Sequence, residues 1–229
     1  MLKVAARTLD LYEAFARARA PLTLSELARE IDVAPSSCFE LVGTLRDRGY
    51  LYGLGERRAF YPTRRMMDNV IAIAGHEPHV SHIAPRLERL RNETQETVIL
   101  GRQHGDGVVY LTIAEGPQTV RYTARVGEFK PLHSSAIGKV ILSGANGDER
   151  RAWIERLPRQ KMTDATLCHA AALTADIEAG VQRGYQMTRG ENVADVMALA
   201  MPLRVGGDLF GVCVAGPMHR MSVDQAGHV

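Results

Sequence analysis

At 229 residues the chain is long for one core and comfortable for two domains of unequal size. Its 45% hydrophobic and 24% charged residues exclude a disordered chain, and a formal net charge of +2 is too small to imply nucleic acid by itself. The distribution says more: residues 1–75 hold 11 Lys/Arg against 9 Asp/Glu, so the whole basic excess lies in the first third. Lys3 to Ala18 reads as a helix with Val4, Leu9, Leu11, Tyr12 and Phe15 on its apolar face, closed by Pro21. Thr23 and Glu26 form a capping-box pattern ahead of Leu24, Leu27, Ala28 and Ile31, which recur at helical spacing. Asp32-Val33-Ala34-Pro35 breaks that helix, because proline starts helices and does not sit inside them. The next helix turns Cys38, Leu41, Val42 and Leu45 inward and leaves Ser36, Ser37, Glu40, Gly43 and Thr44 outside. Two helices joined so tightly cross steeply, as in a helix-turn-helix that offers its second helix to a DNA major groove. The hydrophobic spacing alone fits a buried helical hairpin equally well.

The following residues favour DNA. Arg48-Gly49-Tyr50-Leu51-Tyr52 and Ala59-Phe60-Tyr61-Pro62 flank a Gly-rich turn carrying Arg57 and Arg58, the pattern of a β-hairpin wing. Between residues 45 and 65 six arginines face only Asp47 and Glu56, an electrostatic footprint suited to phosphates. Residues 63–74 read as a linker helix ending at Gly75, and Gly75-His76-Glu77-Pro78 as a domain boundary. The expected division is therefore 1–62, a linker over 63–79, and 80–229. His76, His79 and His82 could approach a transition metal, but Pro78 lies among them and no cysteine or carboxylate completes the set, so no metal is assigned.

The second domain opens with a helix from Val80 to Glu96, with Ile83, Leu87 and Leu90 inward. Strands are expected at Thr97–Leu100 and Val108–Ile113 around a turn at His104-Gly105-Asp106-Gly107, and Thr119 to Val126 is expected to continue the sheet. Helices follow at 135–143, 148–157 and 174–183, then strands at 198–203 and 209–215. Helices on one side of a mainly antiparallel sheet make this half α+β. No run approaches the roughly 18 apolar residues of a membrane span, and Met1-Leu2-Lys3 begins an amphipathic helix rather than a signal peptide. Three scattered cysteines, Cys38, Cys168 and Cys213, fit a reduced cytoplasm.

Pro131-Leu132-His133-Ser134-Ser135-Ala136-Ile137-Gly138-Lys139 delivers hydroxyls and free amides to a helix start, where carboxylates are attracted. Ordinary capping by Ser134 with His133 packed in the core is the competing reading. The segment is no phosphate loop, because residue 133 is His where Gly is required and Val140 replaces Ser/Thr. Four motifs in order resemble the IclR family of bacterial transcriptional regulators: the TLSELAREI…SS….L..L..RGYL helix-turn-helix, PLHSSAIGKVIL, RGEN…….A.P, and the final GVCVAGP. The resemblance implies a winged helix-turn-helix followed by an effector-binding domain of GAF-like fold. It points to an effector site at Leu132, Ser134, Thr188, Val196, Ala198, Cys213 and Ala215, to which the reading of the loop as an anion-attracting helix start adds His133 and Ser135.

The DNA-facing set is expected to be Thr23, Ser36, Ser37, Phe39, Glu40, Thr44, Arg46, Arg57 and Arg58. Phe39 stands where the family usually has an aromatic or His; departures from the family pattern are Glu40, where a basic residue is usual, Asp32 for a turn glycine, and Asp195 for a glycine at the pocket edge. Relatives continue with a last helix, so the chain is expected to stop short of it. The resulting expectation is a cytoplasmic regulator that binds double-stranded operator DNA as a homodimer or tetramer and responds to a small organic acid, with no cofactor and no catalytic residue. The alternatives are a ligand-sensing module without DNA binding, or an enzyme on the GAF-like half. A hydrolase lacks Gly-x-Ser-x-Gly, and redox chemistry would need Cys168 and Cys213 within disulfide reach.

Overall fold

The computed structural model describes residues 3–55, 58–74 and 80–221. The chain divides into two compact units, residues 1–77 and 78–229. In the first, α1 (Lys3–Ala18) is followed by β1 (Leu22–Thr23), α2 (Leu24–Glu30) and α3 (Pro35–Asp47). Then come β2 (Leu51–Leu54), β3 (Ala59–Pro62) and α4 (Arg65–Ala74). The capping box forms: Thr23 Oγ1 accepts the Glu26 amide at 3.3 Å, and the Thr23 amide donates to Glu26 Oε2 at 2.7 Å. Asp32 takes the turn between α2 and α3 in the left-handed region, with φ of 50°, which a short polar side chain tolerates. Pro35 occupies the first turn of α3. Leu11, Ala14, Phe15, Leu27, Cys38, Val42 and Leu45 interlock as the core of this unit. Val4 and Leu9 were expected on that inner face, yet they stand 65% and 63% exposed. The later turns of α1 supply its buried residues, while Val4, Arg7 and Thr8 line a shallow groove beside Ser37, Glu40 and Leu41 of α3.

The wing is a three-stranded antiparallel sheet in the order β1-β3-β2, with Leu22 opposite Phe60 and Leu51 opposite Pro62. The start of α4 is pinned to the far end of α3. Thr63 Oγ1 donates to Gly49 O at 2.6 Å, Arg65 Nη1 donates to Arg48 O at 2.8 Å, and Asn69 Nδ2 donates to the Tyr50 hydroxyl at 3.0 Å.

The second unit runs α5 (Val80–Thr94), β4 (Thr97–His104), β5 (Gly107–Ala114), β6 (Phe129–Pro131) and α6 (Ala136–Ser143). It continues with α7 (Gly147–Arg156), α8 (Ala170–Arg183), β7 (Gln186–Arg189), β8 (Val196–Val205) and β9 (Asp208–Pro217). The six strands form one antiparallel sheet ordered β6-β5-β4-β9-β8-β7. Strand alternation splits its side chains between two cores. Ile99, Ala198, Ala200, Cys213 and Ala215 meet α6, α7 and α8 on one face; Val98, Leu100, Leu199 and Val214 meet Ile83 and Leu87 of α5 on the other. The expectation of helices on one side is therefore corrected, since the apolar stripe of α5 covers the opposite face.

Thr119–Val126 is likewise no strand. The Thr97 hydroxyl donates to Tyr122 O at 2.6 Å, Arg220 Nη2 donates to Val120 O at 2.8 Å, and the segment is held as irregular wall instead. β7, unassigned in the sequence, closes the far edge against β8. Among the described residues no helix is long and apolar enough to cross a membrane.

Candidate functional site

Two surfaces carry chemistry, one in each unit. On α3 the spacing of Pro35-Ser36-Ser37-Cys38-Phe39-Glu40 buries Cys38 and leaves Ser36, Phe39, Glu40 and Thr44 exposed, with Ser37 half-buried. Ala34 caps the helix without a side-chain bond, so the first-turn amides remain for an outside acceptor. Thr44 Oγ1 donates to Glu40 O at 2.9 Å, which spends its proton on the helix itself. Arg46 is turned toward the wing, its guanidinium 5.9 Å from the Phe60 ring centroid. Arg58 is exposed at the hairpin end, with φ of 46°. Arg57 lies outside the described residues, as do His76 and His79. Thr23 needs a correction: its hydroxyl donates to Glu26 Oε2 at 2.9 Å as well as capping, so it positions α2 and offers no free donor.

The second surface is a cleft between the start of α6 and the sheet. Its floor follows from register. Thr188 pairs with Ala198, and Ala198 with Ala215, so three small residues stand in one row across β7, β8 and β9. Cys213 and Ile99 form the next row. Burial pushes the Cys213 thiol up to about 12, which keeps it neutral and unreactive. Ser134 and Ser135 close the cleft from the loop before α6, Asn192 and Val193 from the loop before β8, and Val196 from the first position of that strand. Asn192 Nδ2 donates to Ser134 Oγ at 3.0 Å. Tyr110 and Tyr122 stand at the other end, and Lys130 lies beside Tyr122 with its Nζ 2.7 Å from Glu128 Oε1. The Tyr110 phenol is pushed up by burial and then by Tyr122, so it remains a proton donor.

Of the expected effector residues, Ser134, Ser135, Thr188, Val196, Ala198, Cys213 and Ala215 line this cleft. Leu132 and His133 do not. Leu132 packs in the core, and His133 is buried with its Nε2–H donating to Gln160 O at 2.9 Å. Burial, followed by the cations Arg159 and Lys139, lowers the His133 pKa and leaves the ring neutral near pH 7. The cap is also reassigned. Ser135, not Ser134, takes the Gly138 amide at 3.1 Å and donates to Pro131 O at 2.7 Å. Ser134 is thereby left facing the cleft. Asp195 adopts φ of 60° where the family resemblance expects glycine, but its side chain is exposed and does not line the cleft.

Ile99, Tyr110, Tyr122 and Asn192 were missed. Tyr110 alternates with Val108 and was legible as an inward strand residue; Tyr122 sits in irregular chain and carries no periodic signal. The free interior is small, about 30 Å³, against roughly 10–15 Å³ for a single water on the same measure.

Beneath the cleft lies a buried charge cluster. Lys139, fully buried on α6, places Nζ 2.7 Å from both Asp176 Oδ2 and Glu191 Oε1, and 3.1 Å from Met187 O. It ties α6 to α8 and to the residue next to Asn192.

Comparison with known proteins agrees with both surfaces. Residues 4–55 match the IclR helix-turn-helix domain, and residues 74–229 match the bacterial transcriptional regulator IclR C-terminal domain. The chain is 31% identical over 218 residues to the HTH-type transcriptional regulator BhcR of Paracoccus denitrificans, covering 94% of this chain and 78% of that one. It is 26% identical over 206 residues to the HTH-type transcriptional repressor AllR of Escherichia coli, covering 89% and 76%. The crystal structure of Thermotoga maritima IclR shares the fold with a TM-score of 0.79 at 19% identity, covering 99% of this chain and 92% of that one. So does an IclR homologue of Microbacterium hydrocarbonoxydans complexed with 4-hydroxybenzoate, with a TM-score of 0.73 at 20% identity over 98% and 93%. A winged helix-turn-helix in the first unit and a cleft-bearing antiparallel sheet in the second, matched end to end, make this chain a member of the IclR family of DNA-binding transcriptional regulators.

Proposed function

We propose that this regulator docks α3 in the major groove of an operator and answers to a small carboxylate held between α6 and the floor of the second-unit cleft. The observation that carries the ligand reading is the start of α6. Ser135 serves the Gly138 and Lys139 amides, while the Ala136 and Ile137 amides meet no acceptor among the described residues, and both residues line the cleft with Ser134 and Asn192. An anion there gains two amide donors and a hydroxyl, and the apolar floor of Ile99, Ala198 and Ala215 takes its carbon end. A relative of the same fold holds 4-hydroxybenzoate, an aromatic carboxylate. The small free interior favours a compact acid, or one that moves the Asn192–Val196 wall on entry.

The working form is proposed to be a cytoplasmic homodimer. Met67, Val70, Ile71 and Ile73 of α4 stand more than half exposed, a stripe of large apolar side chains of the kind that a second copy covers. Two recognition helices about 34 Å apart, as a palindromic operator requires, demand two chains. Because α4 is bonded to Arg48, Gly49 and Tyr50 directly behind α3, any rotation of the linker helix is passed to the reading head. Coupling through α4 follows, at most equal to the ligand's differential affinity for the two states.

The test is calorimetric titration with a panel of small carboxylates and their neutral amides. At least one acid is expected to bind, its amide more weakly, and Ser134→Ala to lose about tenfold for the acid through one charge-assisted hydrogen bond. Equal binding of acid and amide would refute the anion reading. On the DNA side, Arg58→Ala is expected to weaken binding to every duplex alike and to reduce the slope of log affinity against log salt by about 1. Gel retardation across a salt series reads both.

A further inference from the structure

The exposed face of α3 is unusual in what it offers a base pair. Ser36, Phe39, Glu40 and Thr44 stand outward at i, i+3, i+4 and i+8, and the helix has no Lys or Arg before Arg46. Arg46 lies over Phe60 of the wing, so its guanidinium is drawn toward the hairpin. Thr44 has spent its hydroxyl proton on the helix. The Ser36 hydroxyl donates or accepts and so discriminates little between bases; the side chains left to discriminate are an aromatic ring, 65% exposed, and an exposed carboxylate beside it. An exposed phenylalanine on a solvent-facing turn gains nothing for the fold. A carboxylate presented to a polyanion costs affinity unless a base donates to it.

We propose that Phe39 and Glu40 set the operator preference: Phe39 packs on the methyl group of a thymine, and Glu40 accepts a hydrogen bond from the N4 amino group of a cytosine. Successive residues differ by about 1.5 Å along a helix and 100° around it, so the two side chains reach neighbouring base pairs. In the major groove only thymine carries a C5 methyl, and cytosine presents an amino donor with no acceptor that would repel a carboxylate. The half-site core is therefore a thymine next to a cytosine. This rests on the reading that α3 enters the major groove, and the test separates the two.

The experiment is selection from a library of random duplexes by the purified full chain, repeated with Glu40→Gln and Phe39→Ala, followed by retardation of the selected duplex with single deoxyuridine-for-thymidine replacements. The wild type is expected to select the thymine–cytosine step. Glu40→Gln should move the cytosine preference to adenine, whose N6 and N7 pair with an amide, by about tenfold in relative affinity. Phe39→Ala should lose thymine selection at the adjacent position. Deoxyuridine there should cost the wild type severalfold and the Phe39→Ala chain nothing. Both residues are exposed, so thermal unfolding of the variants should match the wild type. If the wild type selects a motif and both variants select the same one, the assignment is overturned while groove entry stands. If no duplex is retained above background, groove entry itself fails and the assignment with it.

Discussion

Lys139→Met is expected to destabilise the second unit by about 3–5 kcal/mol, the cost of stranding a buried charge by removing its partner. The lysine is fully buried and bridges Asp176 and Glu191, each 2.7 Å from its Nζ. Without it, two carboxylates lie within about 5 Å of each other, one of them in the core. In thermal unfolding this reads as a fall of roughly 10 °C or more. Glu191→Gln should cost far less, about 1 kcal/mol at most, because Lys139 keeps Asp176 and the Met187 carbonyl. Burial, against the pull of Lys139 and with a smaller push from Asp176, raises the Glu191 pKa. The folded chain therefore holds that proton more tightly than the unfolded chain does. Stability from this group is greatest in acid and declines as pH climbs from the ordinary carboxylate value through the raised one. The difference between wild type and Glu191→Gln should follow that sign: wild type relatively more stable below the window, and less so above it. A double-mutant cycle of Lys139→Met with Glu191→Gln should recover part of the loss, since the remaining Asp176 is partly exposed. Equal losses for the two single variants would mean that packing, not charge, dominates at this site.

What the sequence made legible was local. The capping box at Thr23 and Glu26, Pro35 at the head of α3, and the aromatic runs about the wing turn are signals within a few residues, and the structure places them where they were expected. β1 escaped because two residues carry no period. The start of α8 at Ala170 escaped because His169 caps it with no side-chain bond. Thr119–Val126 looked like a strand by composition, but what holds it is Thr97, whose hydroxyl claims the Tyr122 carbonyl across 25 residues. The cleft was legible through family resemblance at six positions, and at Ser135 through the helix-start pattern. Its floor as a physical object, the row Thr188–Ala198–Ala215, exists only through strand register that no single segment encodes. His133 failed for the same reason: its partner, Gln160, lies 27 residues away in an irregular stretch.

The dipeptide Gly138-Lys139 resembles the end of a phosphate loop, and each residue turns out to serve the fold, one by charge and one by close approach. Lys139 answers carboxylates 37 and 52 residues distant, and Gly138 answers the chain crossing in front of it. A Cβ at position 138 would fall 2.5 Å from Leu132 Cα and 2.6 Å from its carbonyl carbon, closer than such atoms approach. Those are backbone atoms of the loop that carries Ser134 and Ser135, so no side-chain rotation relieves the clash. Gly138→Ala must push α6 off that loop, breaking the Ser135 cap and moving the amides of Ala136 and Ile137 away from Ser134. The expected cost is about 3 kcal/mol or more, the upper end for overpacking, because the struck atoms are main chain. Binding of any carboxylate found for the wild type should disappear with it. Gly43 supplies the control: it lies inside α3 with nothing within 4 Å of an added Cβ, so Gly43→Ala should stabilise the first unit by about 0.5–1 kcal/mol through helix propensity alone. The same substitution then carries opposite signs in two helices. If Gly138→Ala unfolds at the wild-type temperature and still binds the acid, the close approach of α6 to the Leu132 main chain is not what shapes the cleft.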